Sequence, residues 1–305
     1  MNKTAKTIFI ILSSIFGLIG FVSSFIIIFN KTYRFGDSAA FDPDLASNFG
    51  DLFGGLVGTI FSILSVFLLI YTILHQNSES QKSALETNFF RMIDYHNQNV
   101  NQLKIAHLDS TKKDDFSEGR RAFVQFKIQI HRLFEILNKI NAEKKYNLSQ
   151  EQLADIVYII FYYGIDGSWV SFVEQKLDRY KPINKELAEA VQAEINLNPN
   201  YKIGRTNQTN LSTYFRNMYN AVKLVDESSF LKKDEKKELI NIYRAQLSNP
   251  ELYILFFNIM SRFGKKWKEN KYVTKYELIK NIPHNYCESY SPKEYFLMQY
   301  EDDEY

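Results

Sequence analysis

The sequence predicts an all-α protein in which an N-terminal two-helix transmembrane hairpin precedes an all-helical cytoplasmic domain. Three observations predict it. Two long uncharged apolar stretches lie in the first quarter of a 305-residue chain whose mean hydropathy is only -0.28. Helical spacing of apolar residues runs through the remainder, with no convincing strand beyond His75. The 25 Phe and 20 Tyr suffice to fill a large helical core.

The first stretch, Ile8 to Phe29, and the second, Leu52 to Leu74, contain no Asp, Glu, Lys or Arg. As helices rising about 1.5 Å per residue, each reaches about 33 Å, enough for a hydrocarbon core of about 30 Å. A spanning segment must satisfy its own backbone hydrogen bonds, which a helix does. A cleaved signal peptide ending at Ser38-Ala39-Ala40 is the other reading of the first stretch. Its length and the wide polar gap before Ser38 oppose that reading.

Orientation follows from the flanks. Lys3 and Lys6 precede the first span, and Lys82 and Arg91 follow the second. The intervening loop carries Lys31 and Arg34 beside Asp37, Asp42, Asp44 and Asp51. The excess of cations on the outer flanks places both ends inside and residues 30–51 outside. The expected division is a hairpin over 1–75 with spans 8–29 and 52–74, and a helical domain over 76–290. A short terminal helix and acidic tail complete it over 291–305.

Small residues mark one face of each span. Ser13, Gly17, Gly20 and Ser24 line the first, and Gly50, Gly54, Gly58 and Ser62 the second. In lipid, helices associate through close van der Waals approach, which small side chains permit. The stripes predict helix packing, within the hairpin or in a homo-oligomer. No charge lies inside either span, so no ion or proton path is indicated.

Past the second span, Leu85, Phe89, Ile93, His96, Val100 and Leu103 keep helical spacing, and Asp109 to Asp115 is a polar break. Phe123, Phe126, Ile130, Leu133, Leu137 and Ile140 alternate by three and four, a seam suited to another long helix. Ser149 with Gln152 forms a capping box before Leu153, Ile156, Val157 and Ile160. Ser168 can cap a short helix bearing Trp169, Phe172 and Val173. Ile183 to Ile195 and Leu211 to Val225 carry two more helical patterns, and Asp234 caps a helix with Leu239, Ile240, Tyr243 and Leu247. Asn249-Pro250 opens another with proline at the first position, where its missing N–H is harmless. Ser291 to Glu294 combines a capping box with proline ahead of an aromatic helix, Tyr295 to Tyr300, and an acidic tail.

Four local patterns resemble the bacterial phage abortive infection family (AbiC-like). They are Phe49-Gly50-Asp51-Leu52-Phe53-Gly54-Gly55 running on to Gln76; Phe89-Phe90-Arg91-Met92-Ile93 with His96; Leu211 to Tyr219; and Tyr243-Arg244-Ala245-Gln246-Leu247-Ser248 followed by Glu251-Leu252 and Leu255 to Asn258. The resemblance implies a protein of the bacterial inner membrane that stops infection at the cost of the infected cell. It also implies, for some relatives, a reverse transcriptase and a noncoding RNA as partners. It supplies no catalytic residues. Its recurring positions, here Tyr214, Arg216, Arg244, Ser248, Glu251 and Asn258, are read as structural, with Arg216 and Arg244 each pairing with Glu251 or another carboxylate.

The chemistry indicated is sparse. The five histidines form no HExxH or Cys/His cluster, and the single Cys287 excludes an internal disulfide and a cysteine zinc site, so neither metal nor cofactor is expected. A net charge of +2, from 37 basic and 35 acidic residues, gives no whole-molecule reason for a nucleic-acid partner. Asp234 to Lys237 reads as a solvated helix start. Arg91 and His96 fit the R-x4-6-H spacing of the all-helical HEPN ribonucleases, where Arg stabilises phosphate charge and His moves protons. Three functions stay open: a membrane effector, a membrane-tethered ribonuclease using Arg91 and His96, and a non-enzymatic membrane anchor for another defence component.

Overall fold

The structure, a computed structural model, describes residues 3–29, 43–108 and 115–304. It divides into two units, Met1–Ala84 and Leu85–Tyr305, nine residues later than the sequence-based boundary at 75. Lys31, Arg34, Asp37, Asp42 and the Ser38-Ala39-Ala40 site lie outside the described residues.

In the first unit, α1 (Lys3–Phe29) matches the first apolar stretch. The second begins earlier than its apolar residues announce. Helix α2 (Pro43–Leu52) starts inside the expected external loop, with Pro43 at its head and Asp44 in its first turn, where the helix dipole favours an anion. A π-helical turn (Phe53–Gly58) follows, and α3 (Thr59–Asn101) continues without a break. Three glycines in the six residues of that turn leave its widened backbone free of side-chain crowding. Two helices are long and apolar enough to cross a membrane. One holds Phe9–Ile26, of mean hydropathy 2.3, and the other runs over Ala46–Asn101. Only 6% of each apolar window is buried, leaving side chains such as Leu18, Phe21, Val66 and Leu69 exposed.

Helix α1 touches the start of α3. The Phe9 ring stacks on Tyr71 at 5.7 Å and meets Phe67 edge-on, and Phe16 also meets Phe67. Gly17 approaches Leu64, and Gly20 approaches Ile60 and Phe61 so closely that a Cβ there would lie 3.0 Å from Ile60. Numbers rise along one helix as they fall along the other, so the two run antiparallel. Five hydroxyls are satisfied locally: Ser14, Ser24, Thr59, Ser65 and Thr72 each donate to the carbonyl four residues back. That pattern removes the need for water along these faces.

The second unit begins with the last part of α3, where Phe89, Ile93, His96 and Val100 are buried as their spacing predicts. The expectation of no strand beyond His75 is corrected: β1 (Lys104–Ala106) pairs antiparallel with β2 (Phe116–Glu118), with Ile105 opposite Ser117. Residues 109–114 of the polar break lie outside the described residues.

Helix α4 (Arg121–Lys144) buries all six residues of its seam, and also Phe134 and Ile136 beside it. The wider face packs against three shorter helices, α5 (Gln150–Tyr163), α7 (Asn184–Leu197) and α10 (Asn249–Met260), in place of one long partner. Helix α5 starts on the expected capping box: Gln152 N–H donates to Ser149 Oγ at 3.3 Å, and Ser149 N–H to Gln152 Oε1 at 2.9 Å. It ends at Gly164, whose φ of +77° and close approach to Gly204 and Thr206 leave no room for a Cβ. Helix α6 (Trp169–Lys176) follows Ser168, whose side chain makes no capping bond. Beyond α7 come α8 (Gln208–Asp226) and α9 (Lys233–Arg244). The cap of α9 is Lys232; its N–H donates to Glu235, and Asp234 sits within the first turn. Ser248 caps α10, placing Pro250 second in the helix. Short helices α11 (Lys265–Glu269), α12 (Tyr272–Lys275) and α13 (Pro292–Tyr295) close the unit.

The C-terminal expectation is also corrected. Ser291 makes no side-chain capping bond, α13 stops at Tyr295, and Phe296 is extended. The acidic tail docks on the preceding segment: Glu301 accepts from Asn281, Glu304 from Lys280, and Asp302 from the His284 N–H. Tyr300, which precedes the tail, is buried and anchors it.

Candidate functional site

Four helices of the second unit place polar groups around one buried carboxylate. Glu251, in the first turn of α10, is fully buried, as are His96 of α3, Tyr214 of α8 and Tyr243 of α9. Helical spacing in α3 points His96 inward with Ile93 and Val100, and the same periodicity aims Tyr214 and Tyr243 at it. Ser248 N–H donates to Glu251 Oε2 at 2.8 Å and Ser248 Oγ at 2.6 Å, while the Tyr214 hydroxyl reaches Oε1 at 3.3 Å. His96 Nε2 faces Oε1 at 3.6 Å, and His96 Nδ1 lies 3.0 Å from the Tyr243 hydroxyl. A phenol has only one proton to give. The tautomer that accepts this proton at Nδ1 carries its own on Nε2, which faces the carboxylate from beyond hydrogen-bond distance.

A buried carboxylate is tolerated only when its charge is met. Burial drives the Glu251 pKa upward, but His96 and the two Ser248 donors outweigh it and hold the group below its ordinary value of 4.5. Burial raises the Tyr214 and Tyr243 pKa values well above 10, and nearby Glu251 adds to this, so both remain neutral hydrogen-bond donors. The cluster links four helices, with His96, Tyr214, Tyr243 and Glu251 buried and Ser248 at its partly exposed edge.

Arg244 meets another carboxylate, Glu277, which the expected pairing allowed, whereas the pairing expected of Arg216 is corrected. Neither meets Glu251. Arg244 donates to the Glu277 carbonyl at 3.1 Å and lies 3.8 Å from its carboxylate, whereas Arg216 turns back to Ser212 on its own helix. The cation beside Glu251 is Arg120, at 3.9 Å. Asn258, two turns along α10, donates to the buried Tyr158 hydroxyl at 2.9 Å. Arg216 and Asn258 both line an open cleft of about 580 Å³. Arg91 is exposed and His96 is buried, so the structure does not bring that pair together.

Among the small residues of the first unit, Gly17 and Gly20 face α3, Ser13 has a buried hydroxyl with no partner, and Ser24 bonds within α1. Gly50, Gly54 and Gly58 have no atom within 4 Å where a Cβ would stand. Gly54, Gly58 and Ser62 line an open groove instead.

Sequence reasoning missed a second buried ion pair. Asp155 of α5 accepts from Arg262 Nη2 at 2.6 Å, from Nε, from the Arg262 backbone N–H at 2.8 Å and from the Tyr180 hydroxyl at 2.7 Å. Burial pushes the Asp155 pKa up, yet the Arg262 and Tyr180 bonds hold it below 3.8. One signal was present: Asp155 is a lone charge within the apolar run Leu153 to Phe161. Among the described residues, no three His, Cys, Asp or Glu side chains are grouped as metal ligands.

Residues 206–287, about a quarter of the chain, match a family model described as "Putative phage abortive infection protein". The match contains the third and fourth of the sequence patterns, with Tyr214, Ser248 and Glu251, while the patterns at Phe49 and Phe89 lie before it. No curated protein and no solved structure matches the chain.

Proposed function

We propose that this chain, whose residues 206–287 match the phage abortive infection family, is a membrane-anchored effector that arrests or kills an infected bacterial cell by perturbing its inner membrane. The observation that carries the reading is the pair of apolar helical windows, in each of which only 6% of the residues are buried. Apolar surface of that extent is costly in water and neutral in lipid. In this reading α1 and the start of α3 form a transmembrane hairpin with both chain ends in the cytoplasm. Hairpins associate through the groove at Gly54, Gly58 and Ser62, where no side chain of the described residues lies within 4 Å of a Cβ added at either glycine. The helical domain senses the trigger, and a reverse transcriptase with its noncoding RNA is the kind of partner the family resemblance supplies.

The test is made in cells during phage challenge. Dye entry and loss of membrane potential accompany growth arrest, and Gly54→Leu with Gly58→Leu abolishes both at unchanged protein level. Killing that persists after removal of the first 84 residues contradicts the reading. The ribonuclease alternative requires an accessible His96, and its buried position gives that alternative no support. The anchor alternative requires that the chain alone be harmless when overproduced.

A further inference from the structure

The cleft beside α8 has features that the membrane reading does not use. It opens between α8 and the segment that follows α10, and about 580 Å³ of space suits a ligand of nucleotide size. Helical spacing puts Ser212, Arg216, Tyr219 and Lys223 along one side, three or four residues apart. Lys266 approaches from α11. No Asp or Glu is among the described residues lining the cleft, so three cations act on its interior without a lining anion to offset them. Lys223 lies 3.6 Å from exposed Glu227 outside the cleft, a pair weakened by solvent.

The remaining surface is aromatic. Tyr162 and Phe263 lie 4.7 Å apart, and Tyr219 meets Trp267 edge-on at 5.2 Å. Tyr162, Tyr219 and Phe263 are half-buried and line the cleft. The Tyr219 hydroxyl is held from outside by Asn270 at 2.9 Å, which fixes its ring. Arg216 is braced through Nε to the Ser212 carbonyl at 3.1 Å and through Nη2 to Ser212 Oγ at 3.4 Å, leaving Nη1 and the second Nη2 hydrogen for a ligand. Rings beside cations, in a cleft whose described lining carries no acidic side chain, are complementary to a planar heterocycle carrying phosphate. The rings offer stacking, and Arg216 offers the planar fork that phosphate oxygens accept.

We infer that this cleft is a nucleotide-binding site, with Tyr162, Tyr219 and Phe263 holding the base and Arg216, Lys223 and Lys266 holding the phosphates. The site lies largely within residues 206–287 and is independent of the membrane reading, because binding requires nothing of α1 or the π turn.

Trp267 and Trp169 are the only tryptophans, so Trp169→Phe in the full chain leaves a fluorophore in the cleft wall. The detergent-purified variant is titrated with ATP, GTP, CTP and UTP, and with adenosine and inorganic phosphate separately. Saturable change in Trp267 emission is expected with at least one triphosphate, with adenosine and phosphate each weaker by about tenfold or more. Arg216→Ala and Lys266→Ala are each expected to weaken that triphosphate by about tenfold, at unchanged melting temperature because both side chains are exposed. Lys139→Ala, on a distant exposed cation, leaves affinity unchanged. Equilibrium dialysis with the same triphosphates decides the case if emission is silent. Absence of saturable binding by both methods up to about 5 mM overturns the inference. So does equal affinity for phosphate alone, or full affinity in the Arg216→Ala, Lys266→Ala double variant.

Discussion

The Tyr243 hydroxyl stands 3.0 Å from His96 Nδ1, although 147 residues separate the two in sequence. This contact, with Glu251 3.6 Å from the other ring nitrogen, ties the end of the helix that begins at Thr59 to α9 and α10. The histidine singled out as a proton carrier is thus a buried strut whose ring nitrogens both face polar groups of neighbouring helices.

Glu251→Ala leaves His96, Tyr214 and Ser248 facing an empty site, and the domain is expected to lose about 3–5 kcal/mol of stability. Glu251→Gln keeps the shape and one acceptor oxygen, so its loss is smaller. Thermal unfolding of the detergent-purified chain measures both. A Glu251→Ala melting temperature equal to wild type contradicts the role assigned to this carboxylate.

Arg91 offers a cleaner test of the ribonuclease alternative than His96, because its exposed side chain can be removed without disturbing the core. Arg91→Ala is expected to retain both stability and cell killing. Loss of killing in a stable Arg91→Ala protein, with cellular RNA left intact, favours the ribonuclease.

Acid acts on the Asp155–Arg262 pair with a definite sign. The folded pKa of Asp155 is lowered below 3.8 by Arg262 and Tyr180, which overcome the opposing effect of burial. Its stabilising contribution is complete above the ordinary value of 3.8 and is lost as pH falls through the lower folded value. Asp155→Asn is therefore less stable than wild type near neutrality, and the gap narrows on going from about pH 6 to about pH 3. Melting temperatures across that range check it, and a gap that widens with acid contradicts it. Glu251 and Asp226, also lowered, keep an acid slope in the variant.

Gly264 marks a close backbone approach. A Cβ there would stand 2.2 Å from Ile259 Cα and 2.5 Å from the Asn258 carbonyl oxygen, so Gly264→Ala is expected to cost about 3 kcal/mol or more. Gly55→Ala, where nothing lies within 4 Å, serves as the tolerant comparison in the same unfolding assay.

Much of the helical layout was legible because it rests on local rules. The capping box at Ser149 and Gln152 and the seam from Phe123 to Ile140 follow from spacing alone. What escaped was either too short to carry a period or made by distant partners. Three-residue strands at Ile105 and Ser117 carry too little alternation to register, and the helix start at Pro43 precedes its apolar run. Ser248 and Asn249-Pro250 are adjacent, so a helix start was plain while its cap was misplaced by one residue. The carboxylate partners of Arg244 and Arg262 are set by tertiary packing, which no local pattern encodes. For the site, Glu251 and Tyr214 were named without their meeting point, and Arg216 without its cleft.

Sedimentation after lysis without detergent bears most directly on the proposal that α1 and the apolar first part of the Ala46–Asn101 helix lie in lipid. The full-length chain should pellet with the membranes and resist an alkaline carbonate wash. A chain that stays in the supernatant, folded and undegraded, contradicts the claim and removes the proposed action on the membrane with it.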